Sequence, residues 1–208
     1  MKKLEMVVAK FHENIDWLDN MNFSKIIYNK GSNLNPTYVN LDNVGREAHT
    51  YTYLHHIITR WDDLADFTIF TQADPFHHSY NFLNIISSLE KNLEIFNRQF
   101  LNFGHHILCE GNIEEYRRHG NFYIEEIHNV FFDNLSNDLI CFGAGAIFGV
   151  DKSLIKRHDL QVYRDAIDIV SYDHGNREAH AHAFERLWPT IFCKGIVESI
   201  NLKPDIII

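Results

Sequence analysis

Two polar stretches of the chain have the residue types of a diphosphate site. Asn43 suits the N-cap of a helix, Gly45 lets a ligand approach the backbone, and Arg46 adds a cation to that helix start. Asp74 closes the apolar run at residues 67–71, so its carboxylate should lie at the carboxyl end of a strand. A carboxylate there could hold a divalent cation against the diphosphate.

The pattern of apolar residues predicts the elements that would position these groups. Short apolar runs predict strands at residues 6–11, 25–28, 67–74, 104–109, 139–142 and 146–150. Three- and four-residue spacing predicts helices at residues 15–21, 45–61, 86–100, 124–135, 160–170 and 178–192. Because strands and helices alternate in the first half, we expect an α/β fold with a mostly parallel central sheet flanked by helices.

Ligands of an open parallel sheet bind beyond the carboxyl ends of the strands, where the strand order reverses. Polar residues that follow the predicted strands should therefore converge on one crevice. This set comprises His12, Glu13, Asn14, Asn29, Lys30, Arg46, Asp74, His77 and His78. In addition, Tyr28 could stack on a base, and Gly143 and Gly145 could let the backbone approach a sugar.

Composition and missing motifs exclude several classes of protein. A chain of 208 residues is one ordinary domain, and its formal net charge of -9 argues against a nucleic-acid partner. The chain has no G-x-G-x-x-G, no P-loop and no G-x-S-x-G elbow, so we do not expect a Rossmann dehydrogenase, a P-loop phosphotransferase or a serine hydrolase. A nucleotide site without glycine loops remains.

The cysteines and the chain ends bear on location. Cys109, Cys141 and Cys193 are far apart and contain no C-x-x-C, which predicts neither a disulfide framework nor a zinc knuckle and favours the cytoplasm. No apolar run reaches the length of a transmembrane helix. The apolar residues 206–208 either pack as a strand or mark a piece of a longer protein with further domains.

Five short motifs in order resemble a small family known as a domain of unknown function. They are VVAKFHENIDWL (7–18), IYNKG (27–31), NVGREAHTY (43–51), FTQADPFHH (70–78) and ERLWP (185–189). That family looks like a compact variant of the GT-A glycosyltransferases, and a similar Asn-x-Gly-Arg-acid signature is found in rhamnan-synthesis transferases. The resemblance covers most of the chain as a single domain, residues 1–208.

The resemblance implies transfer of a sugar from a nucleoside diphosphate donor, expected to be a UDP-sugar, to a glycan acceptor. GT-A enzymes bind Mn²⁺ or Mg²⁺ through a D-x-D motif, of which Gln72, Ala73 and Asp74 keep the last acid only. His77 could join Asp74 as a second ligand, whereas Arg46 or Lys30 could replace the metal in a metal-independent enzyme.

A glycosyltransferase that inverts configuration also needs a base for the acceptor hydroxyl. The resemblance implies a carboxylate on a late helix for this role. Glu185 is the first choice because it lies off the apolar stripe of its predicted helix, and Glu178 and Asp173 are the reserves.

Two rival functions stay open. One is a metal-dependent hydrolase built from a set of five side chains, namely Asp74, His77, His78, His180 and His182. The other is a non-catalytic module that binds a nucleotide sugar for a larger synthase. Zinc retention would favour the first, and donor binding without turnover would favour the second.

Overall fold

The computed structural model describes residues 2–32, 35–43, 49–93, 99–134, 138–172, 177–193 and 200–201. Its strands are β1 (Leu4–Lys10), β2 (Ser24–Asn29), β3 (Val39–Asn40), β4 (Phe67–Gln72), β5 (Phe100–Asn102), β6 (Ile107–Glu110), β7 (Ile140–Gly143), β8 (Phe148–Asp151) and β9 (Ile200–Asn201). Its helices are α1 (His49–Thr59), α2 (Phe82–Asn92), α3 (Ile113–Arg118), α4 (Tyr123–Phe131), α5 (Lys152–Ile155), α6 (Leu160–Tyr172) and α7 (Arg177–Cys193). Two short 3₁₀ helices lie at Asp16–Asn20 and Trp61–Asp63.

In the described part of the chain, seven strands form one sheet in the order β3-β2-β1-β4-β8-β5-β9. β1 pairs in parallel with β2 on one side and β4 on the other, whereas β8 runs antiparallel to both β4 and β5. The expected α/β fold with a mostly parallel central sheet is therefore confirmed, with β8 as the reversed strand.

Strand order reverses next to β1. The chain passes from β1 to β2 and β3 on one side and then returns to the other side of β1 as β4. Every residue of β1 is buried, since the strand is flanked on both sides and covered on both faces. The carboxyl ends of β1 and β4 thus form the crevice where an open sheet binds ligands.

Helices cover the two faces of the sheet and create two cores. Alternate residues of β1 enter different cores, with Val7 and Ala9 on one face and Met6 and Val8 on the other. Buried residues of α1, α4, α6 and α7 complete the first core, and those of α2 complete the second. None of the described helices is both long and apolar enough to span a membrane.

A second, two-stranded sheet joins β6 to β7 in antiparallel pairing. Cys109 lies opposite Cys141 in this pair, and the two form a disulfide across the strands. The expectation that no cysteines pair is wrong, because strand pairing brings together residues 32 positions apart in sequence. The bond favours an oxidising compartment over the cytoplasm that the spacing of the cysteines suggested.

The predicted helix at residues 86–100 is wrong at its end. The described part of α2 ends at Asn92, and Phe100 is the first residue of strand β5. Ile86 and Leu89 are buried on α2 as their spacing predicts. Phe100 is also buried, but it packs into the core from strand β5. Its spacing from the helix residues matched a helical period by coincidence.

Candidate functional site

A cleft of about 170 Å³ opens at the carboxyl ends of β1, β2 and β4. Its wall comprises Ala9, Lys10, Phe11, Glu13, Lys30, His49 and Gln72. The cleft therefore lies where the strand order reverses, as expected for a ligand site in this kind of sheet. Three of these residues, Glu13, Lys30 and Gln72, belong to the predicted site.

Two lysines give this cleft a local positive charge. Lys10 ends β1 and Lys30 follows β2, and only 6% and 8% of their surfaces are exposed. The strand ends are held together because the Lys30 backbone N–H donates to the Lys10 carbonyl at 2.9 Å. The same wall holds the Glu13 carboxylate, and Lys10 Nζ donates to the Phe11 carbonyl at 3.3 Å. Two ammonium groups beside one carboxylate leave the wall with an excess of positive charge, which suits an anionic ligand.

His49 begins the described part of α1 and lies in the same wall. Burial, together with the nearby charges of Lys30, His182 and His78, lowers the pKa of His49 to about 3. The ring is therefore neutral at physiological pH. These electrostatic effects also indicate that His78 and His182 lie close to the cleft.

Acid should destabilise the fold because its buried histidines are neutral. Burial lowers the pKa of His56 to about 3 as well, so both His49 and His56 take up protons on unfolding below pH 6.5. Their contribution to stability is complete above pH 6.5 and is lost as the pH falls toward 3. We expect each to lower the free energy of unfolding by about 1.4 kcal/mol per pH unit in this window.

Urea unfolding of wild type and His49→Asn between pH 6.5 and 5 measures this slope. The variant should show a shallower loss of stability, because one of the titrating groups is gone. A wild-type free energy of unfolding that stays constant or rises toward pH 5 would contradict the prediction.

Glu185 on α7 is linked to the cleft wall by two hydrogen bonds to the backbone of Gly145. Its Oε1 accepts a hydrogen bond of 2.6 Å from the N–H of Gly145, whose carbonyl accepts one of 2.6 Å from Gln72 Nε2 in the cleft wall. The other carboxylate oxygen lies 3.5 Å from His182 Nδ1. The Glu185 side chain keeps 15% of its surface exposed, so it is partly accessible.

The turn that holds Glu185 requires glycine. Gly145 has φ 93°, and a Cβ added there would lie 2.6 Å from His78 Cγ. We expect Gly145→Ala to lower the free energy of unfolding by about 2 kcal/mol or more and to displace the Glu185 carboxylate.

Gly120→Ala is the matched control for this prediction. Gly120 also has a positive φ, 77°, but a Cβ there meets no atom within 4 Å. Its expected cost in urea unfolding is about 1 kcal/mol, from the backbone alone. Equal costs for the two variants would show that the contact between Gly145 and His78 contributes nothing.

Asp74 and His77 lie near each other beyond the end of β4. Their Oδ2 and Nε2 atoms are 3.7 Å apart, and the side chains are 45% and 86% exposed. Asp74 Oδ1 accepts the N–H of Phe76 at 3.3 Å, which forms a local turn. These two side chains do not line the cleft, but they follow its wall residue Gln72 within five positions.

Several predicted site residues have structural roles instead. Asn14 Oδ1 accepts the Asp16 N–H at 2.7 Å in a local turn, and Asn29 donates to Asn40 Oδ1 and the Gly31 carbonyl. Neither residue is among those that line the cleft.

Tyr28 is not available to stack on a base. It is buried in the core, and its hydroxyl lies 3.0 Å from His56 Nδ1. Ala73 is buried, with its carbonyl accepting from Trp17 Nε1. Gly143 packs against the side chain of Asn102, which leaves no space for a Cβ. The predicted ligand contacts of Tyr28, Ala73 and Gly143 are thus replaced by packing.

One further predicted residue is described by the structure, and four lie wholly or partly outside the described residues. His12 is exposed beside the cleft, with its ring centroid 3.7 Å from that of Phe11. Gly45, Arg46 and Asp173 lie outside the described residues, as does the side chain of Glu178.

Sequence reasoning missed four residues of the cleft wall, namely Ala9, Lys10, Phe11 and His49. The available signal for Lys10 was a lysine directly after the four apolar residues 6–9 of a central strand. His49 fell within the Asn43 motif, but nothing in its spacing indicated burial.

The histidines of the rival hydrolase separate into different environments. His180 is buried, with its Nε2 2.9 Å from Glu126 Oε2, whereas His182 lies beside Glu185. Among the described residues, no three His, Cys, Asp or Glu side chains are grouped as ligands of one metal ion. The five-residue set of that rival therefore does not form one site.

Comparison with known proteins identifies a family. A family described as a protein of unknown function (DUF3431) matches residues 6–203. Comparison with curated proteins and with solved structures finds no match. The matched range contains the whole cleft wall and Glu185, and it leaves only short segments at the two ends. The chain therefore belongs to the DUF3431 family.

Proposed function

We propose that this protein is a glycosyltransferase with a GT-A-like fold. It moves a sugar from a nucleoside diphosphate donor, expected to be a UDP-sugar, to a glycan acceptor. The observation that carries the proposal is the pair of buried lysines, Lys10 and Lys30, in a cleft whose wall residue Gln72 is linked to the Glu185 carboxylate through Gly145.

The two lysines would bind the donor diphosphate. The protein has a formal net charge of -9, so an anion needs this local positive charge to bind. Charge builds on the diphosphate as the sugar departs, and ammonium groups fixed in a buried wall stabilise that charge without rearranging. Phe11, which lines the same cleft and is partly exposed, would offer a ring to the base in place of Tyr28.

Glu185 would act as the base in an inverting transfer. The acceptor oxygen bonds to the anomeric carbon as the bond between that carbon and the diphosphate oxygen breaks. The acceptor proton passes to the Glu185 carboxylate, and the nucleoside diphosphate leaves. The hydrogen bond from Gly145 fixes one carboxylate oxygen, and the other lies toward His182.

Asp74 and His77 would hold a Mn²⁺ or Mg²⁺ ion with the donor phosphates. A carboxylate and an imidazole nitrogen on one short loop fit part of the ligand set of such an ion, and phosphate oxygens and water would supply the rest. When bound, the ion would neutralise charge on the leaving diphosphate.

Asp74→Asn tests this ion. The variant should reduce the Mn²⁺ dependence of donor binding about tenfold while leaving metal-free binding through the lysines unchanged. Titration of UDP with and without Mn²⁺ by calorimetry measures both. An identical Mn²⁺ effect in the variant would remove Asp74 from the proposed ion site.

A thermal-shift screen of UDP, GDP, dTDP and their sugars, each with and without Mn²⁺, tests the function. A ligand present at 100 times its Kd adds about 2.7 kcal/mol to stability, which raises Tm by about 5–11 °C in a chain of this size. We expect at least one UDP-sugar to do so and to release UDP in a coupled assay. If no nucleotide raises Tm, the proposal fails.

The other outcomes of that screen identify the rivals. Nucleotide binding without hydrolysis or transfer would mean a binding module of a larger synthase. Zinc retained through purification, with no response to nucleotides, would mean a metal-dependent hydrolase.

A further inference from the structure

An exposed aromatic surface is formed by the segment between β4 and α2 and the segment between β5 and β6. Tyr80, in the segment between β4 and α2, is 72% exposed, and its ring centroid lies 4.9 Å from that of His105. The His105 ring in turn lies 4.0 Å from that of His106. We call Tyr80, His105 and His106 the aromatic shelf.

Backbone contacts join the aromatic shelf to the proposed base. The His105 N–H donates to the His78 carbonyl at 2.8 Å. The His78 ring packs over Gly145, where an added Cβ would lie 2.6 Å from His78 Cγ. The Gly145 N–H in turn donates to Glu185. The shelf is therefore connected to Glu185 through His78 and Gly145, whereas the cleft wall is connected to Glu185 through Gln72 and Gly145.

We propose that the aromatic shelf binds a sugar ring of the acceptor glycan, an inference that rests on the proposed transferase function. Sugar rings have an apolar C–H face that packs on an aromatic ring, together with hydroxyls that hydrogen-bond to phenol and imidazole groups. Tyr80 and His106, which are both exposed, offer both kinds of contact, and the partly buried His105 ring lies between them.

The size and charge of the shelf favour a carbohydrate over other occupants. A stable protein partner needs about 800 Å² on each side, far more than one exposed ring beside two imidazoles provides. A nucleic acid needs a basic surface, and the shelf contains no lysine or arginine in a protein of net charge -9.

Saturation-transfer-difference NMR on the full chain tests this assignment. The probes are six soluble oligosaccharides: maltohexaose, cellohexaose, chitohexaose, laminarihexaose, mannohexaose and xylohexaose. Wild type should give a signal with at least one probe. Tyr80→Ala should weaken its affinity about tenfold, whereas Tyr80→Phe should keep most of it because the ring remains.

Phe122→Ala is the matched control. Phe122 is also an exposed aromatic residue, at 59%, but it lies at the start of α4 away from the shelf segments. Its replacement should leave glycan binding unchanged. Because Tyr80 is exposed, Tyr80→Ala should keep the wild-type Tm, which excludes unfolding as the cause of lost binding.

The outcomes separate this inference from the proposed function. If UDP raises Tm but no probe binds, or if Tyr80→Ala binds as wild type does, the shelf assignment is overturned and the transferase proposal stands. If a probe binds through Tyr80 but no nucleotide raises Tm, the carbohydrate site stands and the transferase proposal falls.

Discussion

Glu185→Gln is expected to lower kcat for sugar transfer by about 10²–10⁴-fold, because the amide cannot accept the proton of the acceptor hydroxyl. The amide oxygen can still accept the hydrogen bond from Gly145, so the turn at the edge of the cleft should keep its position. Donor affinity should therefore stay at the wild-type value. Steady-state transfer kinetics and a UDP titration measure the two quantities separately.

Glu114→Gln provides the control for this effect. Glu114 is an exposed carboxylate that pairs with Arg118 on the surface of α3, so its neutralisation should change neither kcat nor donor affinity. Transfer by Glu185→Gln at the wild-type rate would mean that another residue is the base, and Glu178 would be tested next.

Lys10→Met and Lys30→Met should each weaken UDP binding by about 10- to 100-fold, which corresponds to the loss of one charge-assisted hydrogen bond. Both side chains are buried in the cleft wall, so methionine fills a similar volume without the charge. The double variant should bind no UDP at accessible concentrations. Calorimetric titration measures the affinities.

Stability and salt dependence distinguish this effect from unfolding. Lys10→Met removes the hydrogen bond that Lys10 Nζ donates to the Phe11 carbonyl, so the Tm of each variant is measured beside its affinity to separate lost binding from lost stability. Wild-type affinity should also fall as salt rises, and less so in each variant. Lys91→Met, in the last turn of α2, is the control. Wild-type affinity in the double variant would place the diphosphate elsewhere.

The first half of the fold could be predicted because its strands are continuous apolar runs. β1 is central and buried on both faces, so residues 6–11 carry a strong strand signal. Alternation with helices then predicts a parallel sheet, and the parallel sheet predicts where its ligand crevice lies. Lys30 and Glu13 were identified by this reasoning, since each follows a strand of that half, whereas Gln72 was identified through the resemblance to the D-x-D motif.

Sequence could not predict properties that depend on pairing between distant segments. Cys109 and Cys141 become neighbours only through the register of β6 and β7. Tyr28 is the penultimate residue of β2, which ends beside the cleft, yet its side chain contacts His56 because successive strand residues face opposite sides of the sheet. The distance between Asp74 and the cleft likewise depends on a local turn at Phe76 that periodicity does not encode.

The antiparallel direction of β8 determines which end of the sheet receives the turn that precedes this strand. Phe148, the first residue of β8, pairs with Phe70 near the end of β4 and with Asn102 at the end of β5. A strand parallel to its neighbours would begin at the opposite end of the sheet, and the turn that precedes it would lie there too. Because β8 is inverted, the turn that enters it lies at the same end of the sheet as the last residues of β4 and β5, and this turn contains Gly145, which binds Glu185.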